Sequence, residues 1–206
     1  MKTKNLSELD AFDEESKTLN VVIETPKRSR NKFEYDEERG LFKLGGVLPE
    51  GAFFPFDFGF VPSTVGGDGD PLDVLVLMDE PAFTGCLVEA RLLGVLEAEQ
   101  TERDGETTRN DRLIAVAAKS RTHAHVKSLD DLNETLLSEI EHFFVSYNEI
   151  KGKHFKPLGR FGRERAAELV EQGVERRRQK RRASKSSSSA KSSRKSKSTK
   201  AKAKKR

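Results

Sequence analysis

Hydrophobic and polar positions change period once along this chain, near residue 128. That change separates a strand-rich first part from a helical second part. Before it, short apolar runs alternate with turn residues. Val21-Val22-Ile23, Lys32-Phe33-Glu34-Tyr35 and Leu41-Phe42-Lys43-Leu44 read as strands, with turn material such as Glu38-Arg39-Gly40 between them. Phe54, Phe56, Phe58 and Phe60 recur at period two, which places all four rings on one side of an extended segment. Val74-Leu75-Val76-Leu77 is a continuous apolar run, the sign of a strand covered on both faces. Residues 86–96 and 113–117 read as further strands, and the polar stretch 101–106 as a hairpin tip.

Beyond residue 128 the apolar positions step by three and four: Leu129, Leu132, Leu136, Ile140, Phe143 and Tyr147. With Ser128 placed to cap and Asp131 three residues on, the spacing predicts one amphipathic helix ending near Lys151-Gly152. A second helix is expected over 163–178, with Ala166, Leu169, Val170 and Val174 inward. Strands followed by helices predict an α+β chain, a small barrel with external helices, rather than alternating βαβ units.

Charge divides the chain differently. Sixteen Lys and Arg and no acid fall within 176–206, which leaves 22 basic against 34 acidic residues in 1–175. The body therefore carries a net charge of −12, and the whole positive excess sits in the tail. An acidic body suits a site that recruits cations before phosphate, and it lacks the basic face of a nucleic-acid binder. The tail itself, Ala, Ser, Lys and Arg, has little to bury and is expected to be disordered over 179–206. It could attract nucleic acid or another polyanion through residues 176–206. Residues 1–17 are expected to be loose, and 18–178 to form the folded domain. One cysteine, Cys86, allows no intrachain disulfide and reads as a buried small hydrophobe. With no apolar leader or membrane-length run in the sequence, a cytoplasmic location is expected.

The chemistry-bearing stretch is Gly66-Gly67-Asp68-Gly69-Asp70-Pro71-Leu72-Asp73. Three acids fall within six positions, and the glycines and proline let the backbone bend so that the carboxylates converge. Such crowding is strained unless cations share the site, and hard oxygen ligands suit Mg²⁺ or Mn²⁺. The alternative reading is a solvated acidic turn. The spacing is not that of an EF-hand, because Pro71 stands at the fourth position. His123 and His125 share one face of an extended segment but have no third ligand nearby.

The segments Lys32-Phe33-Glu34, Phe54-Pro55-Phe56-Asp57-Phe58-Gly59-Phe60 and Asp68-Gly69-Asp70-Pro71-Leu72-Asp73-Val74 resemble, in order and spacing, the family I soluble inorganic pyrophosphatases. The resemblance covers about residues 20 to 155. It implies a closed, OB-like five-stranded β-barrel with external helices and Mg²⁺-dependent hydrolysis of inorganic pyrophosphate. It makes Asp68 and Asp73 metal ligands, Asp70 a metal-site residue and the general base, and Glu24 and Glu34 outer acids of the metal site. Lys32, Arg112 and Tyr147 match phosphate-binding positions, and Phe58 stands at a further substrate-binding position. Four departures stand out: Gly46 replaces an arginine, Phe54 and Phe58 replace tyrosines, Asn110 replaces a metal-ligand aspartate, and Asn148 replaces a lysine. Asp111, beside Asn110, could substitute only if a bulge turned it toward Arg112. The alternative function is a weakened relative that acts on another phosphoanhydride, or serves as a nucleic-acid-binding module through its tail. The sequence leaves the oligomeric state open, a homo-oligomer included.

Overall fold

The computed structural model describes residues 5–202, with side chains described to residue 184. Among the described residues there are nine strands and two α-helices. The strands are β1 (Leu19–Thr25), β2 (Asn31–Asp36), β3 (Leu41–Val47), β4 (Asp57–Phe60), β5 (Asp73–Leu77), β6 (Leu87–Thr101), β7 (Thr107–Arg109), β8 (Arg112–Ala117) and β9 (His154–Gly162). The helices are α1 (Glu134–Ile150) and α2 (Arg163–Lys202). Seven strands share one mixed sheet, and β2 and β3 form a separate hairpin. Pairings run from β1 to β4, β5, β8 and β6, and β6 pairs back onto β1. Only β5 and β8 are parallel; the other pairs are antiparallel.

β5 shows how the pattern places the core. Val74 and Val76 join one apolar cluster, and Leu75 and Leu77 join the other. Period-two alternation between two buried faces is what a continuous apolar strand requires. The first cluster is covered by Ala166, Leu169 and Val170 of α2. The second takes in Phe54, Phe56 and Phe58 with Ile140 and Phe144 of α1. Phe60, expected to follow the other three rings, stacks on Tyr35 with centroids 5.8 Å apart. Gly59 permits this closeness of β4 to β1, since a Cβ there would lie 2.1 Å from the Val22 carbonyl oxygen.

Several expectations are corrected. The single helix from Ser128 is two pieces: a 3₁₀ turn over Leu129–Asp131, then α1 starting after Asn133. The Asp131 carboxylate does accept from the backbone N–H of Ser128 (2.9 Å), but it closes the short turn. Asn133 caps α1 by accepting from the Thr135 N–H at 2.7 Å. The second helix does not stop at residue 178 but continues to Lys202. No Gly or Pro follows Gly173, so nothing local breaks it. Residues 203–206 of the expected tail lie outside the described residues. Residues 5–17, expected to be loose, carry a 3₁₀ turn and bury Ser7 and Ala11. Cys86 is half-exposed rather than buried. Strand β9 was not anticipated, and β6 runs to Thr101 to pair with it. Among the described residues no helix is long and apolar enough to cross a membrane.

Candidate active site

A cleft of about 740 Å³ opens where the 66–73 loop, the β2–β3 hairpin, the β6–β7 turn and the end of α1 meet. All ten residues singled out from the sequence line it: Glu24, Lys32, Glu34, Phe58, Asp68, Asp70, Asp73, Asn110, Arg112 and Tyr147.

The loop is shaped by its own backbone. The Gly66 N–H donates to the Asp70 carbonyl (2.6 Å), and the Asp70 N–H donates to Asp68 Oδ1 (3.1 Å). Gly69 takes φ +92°, a conformation a side chain would strain. At the far end the Leu72 N–H donates to the buried Thr64 hydroxyl (3.0 Å), which anchors the loop as it enters β5. Asp73 is the first residue of β5 and lies in register with Arg112, the first residue of β8. The parallel pairing sets their side chains together, with 2.7 Å between Arg112 Nη1 and Asp73 Oδ2. Arg112 also donates to Asn110 Oδ1 and lies over the Phe144 ring, 5.1 Å from its centroid.

On the opposite wall β1 and β2 meet through side-chain hydrogen bonds. Glu24 accepts from the Tyr35 N–H (2.8 Å) with one oxygen and from Lys32 Nζ (3.1 Å) with the other. Lys32, buried, reaches over the Phe58 ring at 4.6 Å. Phe58 therefore contributes a ring face to the cation rather than a donor to a ligand. Glu34 follows on the same hairpin, and a Cβ at Gly45 would collide with its carboxyl group at 2.3 Å. Tyr147 lies on α1, packed edge-on to Phe54 at 5.7 Å. Burial, and then Glu34 and Asp73, push its phenol up, so the hydroxyl stays protonated and able to donate.

Charge crowding is visible in the carboxyl groups. Burial, followed by Asp73 and Asp70, pushes Asp68 up to about 6. Burial and then Asp73 raise Asp70 as well, and burial raises Glu24 against the pull of Lys32. These shifts mark a site whose own cations do not match its carboxylates, and added cations would relieve them. No three His, Cys, Asp or Glu side chains among the described residues form a ready-made cage. Magnesium needs none, since it commonly keeps several waters and binds through one or two carboxylates and substrate phosphate. The donor set of Asp68, Asp70 and Asp73 fits that requirement.

Asp111 does not enter the cleft. Its Oδ1 accepts from the Ala98 N–H (3.0 Å) and from Arg109 Nη2 (2.8 Å), and the residue lines a smaller neighbouring pocket that also touches Asp68, Asp73 and Asn110. Strand β8 starts at Arg112 with regular pairing, and the Asp111 carboxylate is held by Arg109 and the Ala98 N–H. His123 is engaged locally with the Ser120 hydroxyl at 3.2 Å.

The cleft also holds residues with no motif in the sequence. Glu102 and Glu106 come from the β6–β7 turn, Tyr35 and Glu37 from β2 and its turn, Lys151 and Lys153 from beyond α1, and Arg177 and Lys180 from α2. Only Lys151 left a local signal, standing four residues after Tyr147, one helical turn away. The others depend on how the turn and α2 fold back over the loop.

The sequence pattern of the family described as inorganic pyrophosphatase matches residues 21–178. An inorganic pyrophosphatase of Halalkalibacterium halodurans is 40% identical over 158 residues, covering 77% of this chain and 94% of that protein. The crystal structure of the inorganic pyrophosphatase from Thermus thermophilus superimposes with a TM-score of 0.77 at 38% identity, covering 85% of this chain and 99% of that one. The enzyme from Helicobacter pylori gives 0.72 at 34% identity, covering 86% and 98%. With this cleft, this connectivity and these likenesses, the chain belongs to the inorganic pyrophosphatase family.

Proposed function

We propose that this protein hydrolyses inorganic pyrophosphate to two phosphates, and that the carboxylate loop facing buried cations across one cleft is its active site. The observation that carries the reading is the gathering of Asp68, Asp70 and Asp73 with Lys32, Arg112 and Tyr147 around one cleft. Phosphoryl transfer asks mainly for charge stabilisation and positioning, and this set offers both.

Asp68, Asp70 and Asp73 would hold Mg²⁺, or Mn²⁺, with Glu24, Glu34 and Asn110 around them. When bound, the metal supplies positive charge against the phosphate oxygens and acidifies water enough for it to attack at neutral pH. Asp70 is the general base: its carboxyl group lies in the loop beside the metal carboxylates, and its raised affinity for protons suits it to take one from the attacking water. Lys32 and Arg112 neutralise phosphate oxygens, and the protonated Tyr147 hydroxyl donates to one. Their preorganisation is built in, since Glu24 fixes Lys32 and Asp73 fixes Arg112.

We infer that the cyclic pairing of β1, β4, β5, β8 and β6 is the closed, five-stranded OB-like barrel of the expected fold class, with residues 18–178 as one unit. The return of β6 onto β1 supports this. The single cysteine and acidic body support a cytoplasmic location, and exposed Phe83, Leu41 and Val47 support self-association. The run of cations at 176–206, which continues past the family match ending at residue 178, supports polyanion contact.

The test is colorimetric phosphate release with pyrophosphate, tripolyphosphate and nucleotides, each with and without Mg²⁺, for the natural chain and Asp70→Asn. Loss of the base is expected to lower kcat by about 100-fold or more at an unchanged melting temperature. Equal rates for the two proteins would remove Asp70 from the mechanism. Faster turnover of a nucleotide than of pyrophosphate would move the substrate assignment, as the departures at Gly46, Asn110 and Asn148 allow.

A further inference from the structure

The cleft cations differ in how they are balanced. Lys32 pairs with Glu24 at 3.1 Å, Arg112 with Asp73 at 2.7 Å, Lys153 with Glu102 at 2.8 Å and Arg177 with Glu37 at 3.2 Å. Lys151 has no carboxylate partner among the described residues. Its ammonium donates to the Tyr147 hydroxyl and stands 4.3 Å from the centre of that ring. A phenol oxygen and a ring face hold a cation in place without neutralising it, and one hydrogen bond leaves two of the three ammonium protons for a ligand. Lys180 also lacks a carboxylate, but it is exposed and reaches only the Gly69 carbonyl at 3.4 Å. Lys151 is the half-buried one.

Its position is fixed by the chain around it. Gly152, at φ +71°, ends the helix in the left-handed conformation that glycine favours. Arg103, from the β6–β7 turn, donates Nε (2.8 Å) and Nη2 (2.5 Å) to the Lys151 carbonyl. The backbone is thus clamped from a second element while the side chain runs along Tyr147 into the cleft. A half-buried ammonium with no direct ion pair, favoured only by the more distant Glu34 and Glu102 carboxylates, carries a cost in the free protein that an entering anion offsets.

We propose that Lys151 is a substrate-binding residue of this site, donating a charge-assisted hydrogen bond to a non-bridging phosphate oxygen beside the Tyr147 hydroxyl. The proposal rests on the phosphoanhydride reading of the cleft, and it adds a contact from a residue that neither the loop motif nor the strand pattern singles out.

The test compares the full chain with Lys151→Met, Lys151→Gln and Lys151→Arg, and with Lys119→Met as a change of equal charge at an exposed residue away from the cleft. Two readouts are taken: KM for Mg²⁺-pyrophosphate, and the calorimetric Kd for inorganic phosphate with Mg²⁺ present. Lys151→Met and Lys151→Gln are expected to raise both by about tenfold or more, the size of a lost charge-assisted contact. Lys151→Arg should recover most of the loss, and Lys119→Met should match the natural chain. Phosphate binding by Lys151→Met and Lys151→Gln at the natural Kd would overturn the assignment. So would equal losses in Lys119→Met, which would mark a general charge effect, or no recovery in a folded Lys151→Arg. If the natural chain binds phosphate but does not turn over pyrophosphate, the functional reading fails while the phosphate Kd still decides the role of Lys151.

Discussion

Replacing Asp68 with Asn should make the metal-free protein more stable at neutral pH, although it removes a residue assigned to the active site. Burial and the neighbouring Asp73 raise this carboxyl group from an ordinary 3.8 to about 6. A carboxyl that binds its proton more tightly in the folded state stabilises the fold below its unfolded value. That contribution is lost as pH rises from about 4 through 6. Above 6 the ionised group is a net burden. Two pH units correspond to about 3 kcal/mol, but Asp68 is open to solvent at the cleft surface. Screening at such a position reduces the expected gain to about 1 kcal/mol. For a chain of this size, that is a rise in Tm of about 2–4 °C. Asn keeps the side-chain oxygen that accepts the Asp70 N–H, so the loop geometry is not sacrificed. The assay is thermal unfolding of both proteins in EDTA at pH 4 and pH 8, and again at pH 8 with Mg²⁺. The expected pattern is equal Tm at pH 4 and the variant higher at pH 8 in EDTA. With Mg²⁺ the order should reverse, because the natural chain gains metal-binding energy that the variant lacks. A variant that melts at or below the natural chain in EDTA at pH 8 would refute the crowding argument, and with it the electrostatic case for cations at this loop.

Two further outcomes follow from the same geometry. Gly46 lies opposite Lys32 across the hairpin, and a Cβ there meets nothing within 4 Å. Cross-strand partners share a face, so Gly46→Arg should place a guanidinium near Lys32 and lower KM for pyrophosphate by about tenfold; an unchanged KM in steady-state kinetics would mean that the side chain does not reach the substrate. Truncation after Arg182 keeps the Arg177–Glu37 and Arg181–Glu8 pairs that hold α2 to the body. Hydrolysis should persist while retention on a heparin or DNA column falls, and retention at the natural salt concentration would move polyanion binding away from the tail.

What the sequence disclosed of this site depends on how locally each residue is placed. Asp68, Asp70 and Asp73 were legible because six consecutive positions, with Gly69 and Pro71 among them, keep all three on one loop, and that loop lines the cleft without closing the carboxylates into a cage. β5 was legible because Val74 to Leu77 are all apolar and both faces must be covered. Arg112 and Tyr147 carry no such local mark. They were found through resemblance, since only the parallel pairing of β5 with β8, and the packing of α1 against Phe54, bring them to the loop. The register of a parallel pair is not written in either strand alone. The break before α1 was missed because Leu129, Leu132 and Leu136 keep helical spacing across it, while Asn133 offers a better cap than Ser128.

Lys32 shows why the structural and functional readings of a residue need not compete. From the sequence, a lysine between acids on a strand could be no more than a cross-strand ion pair, and in the structure it is one, with Glu24. That pair fixes the ammonium over the Phe58 ring and aims it into the cleft, so the interaction that stabilises the wall also positions the charge. Glu24 consequently has both oxygens engaged and acts on the site through Lys32. The same logic holds for Asp73 and Arg112, where one cleft carboxylate orients the guanidinium beside it. If Asp73 served as the metal ligand proposed above, its pair with Arg112 would weaken and the guanidinium would be freer to meet a phosphate oxygen. On that proposal, cation binding and phosphate binding would be coupled through a single carboxylate.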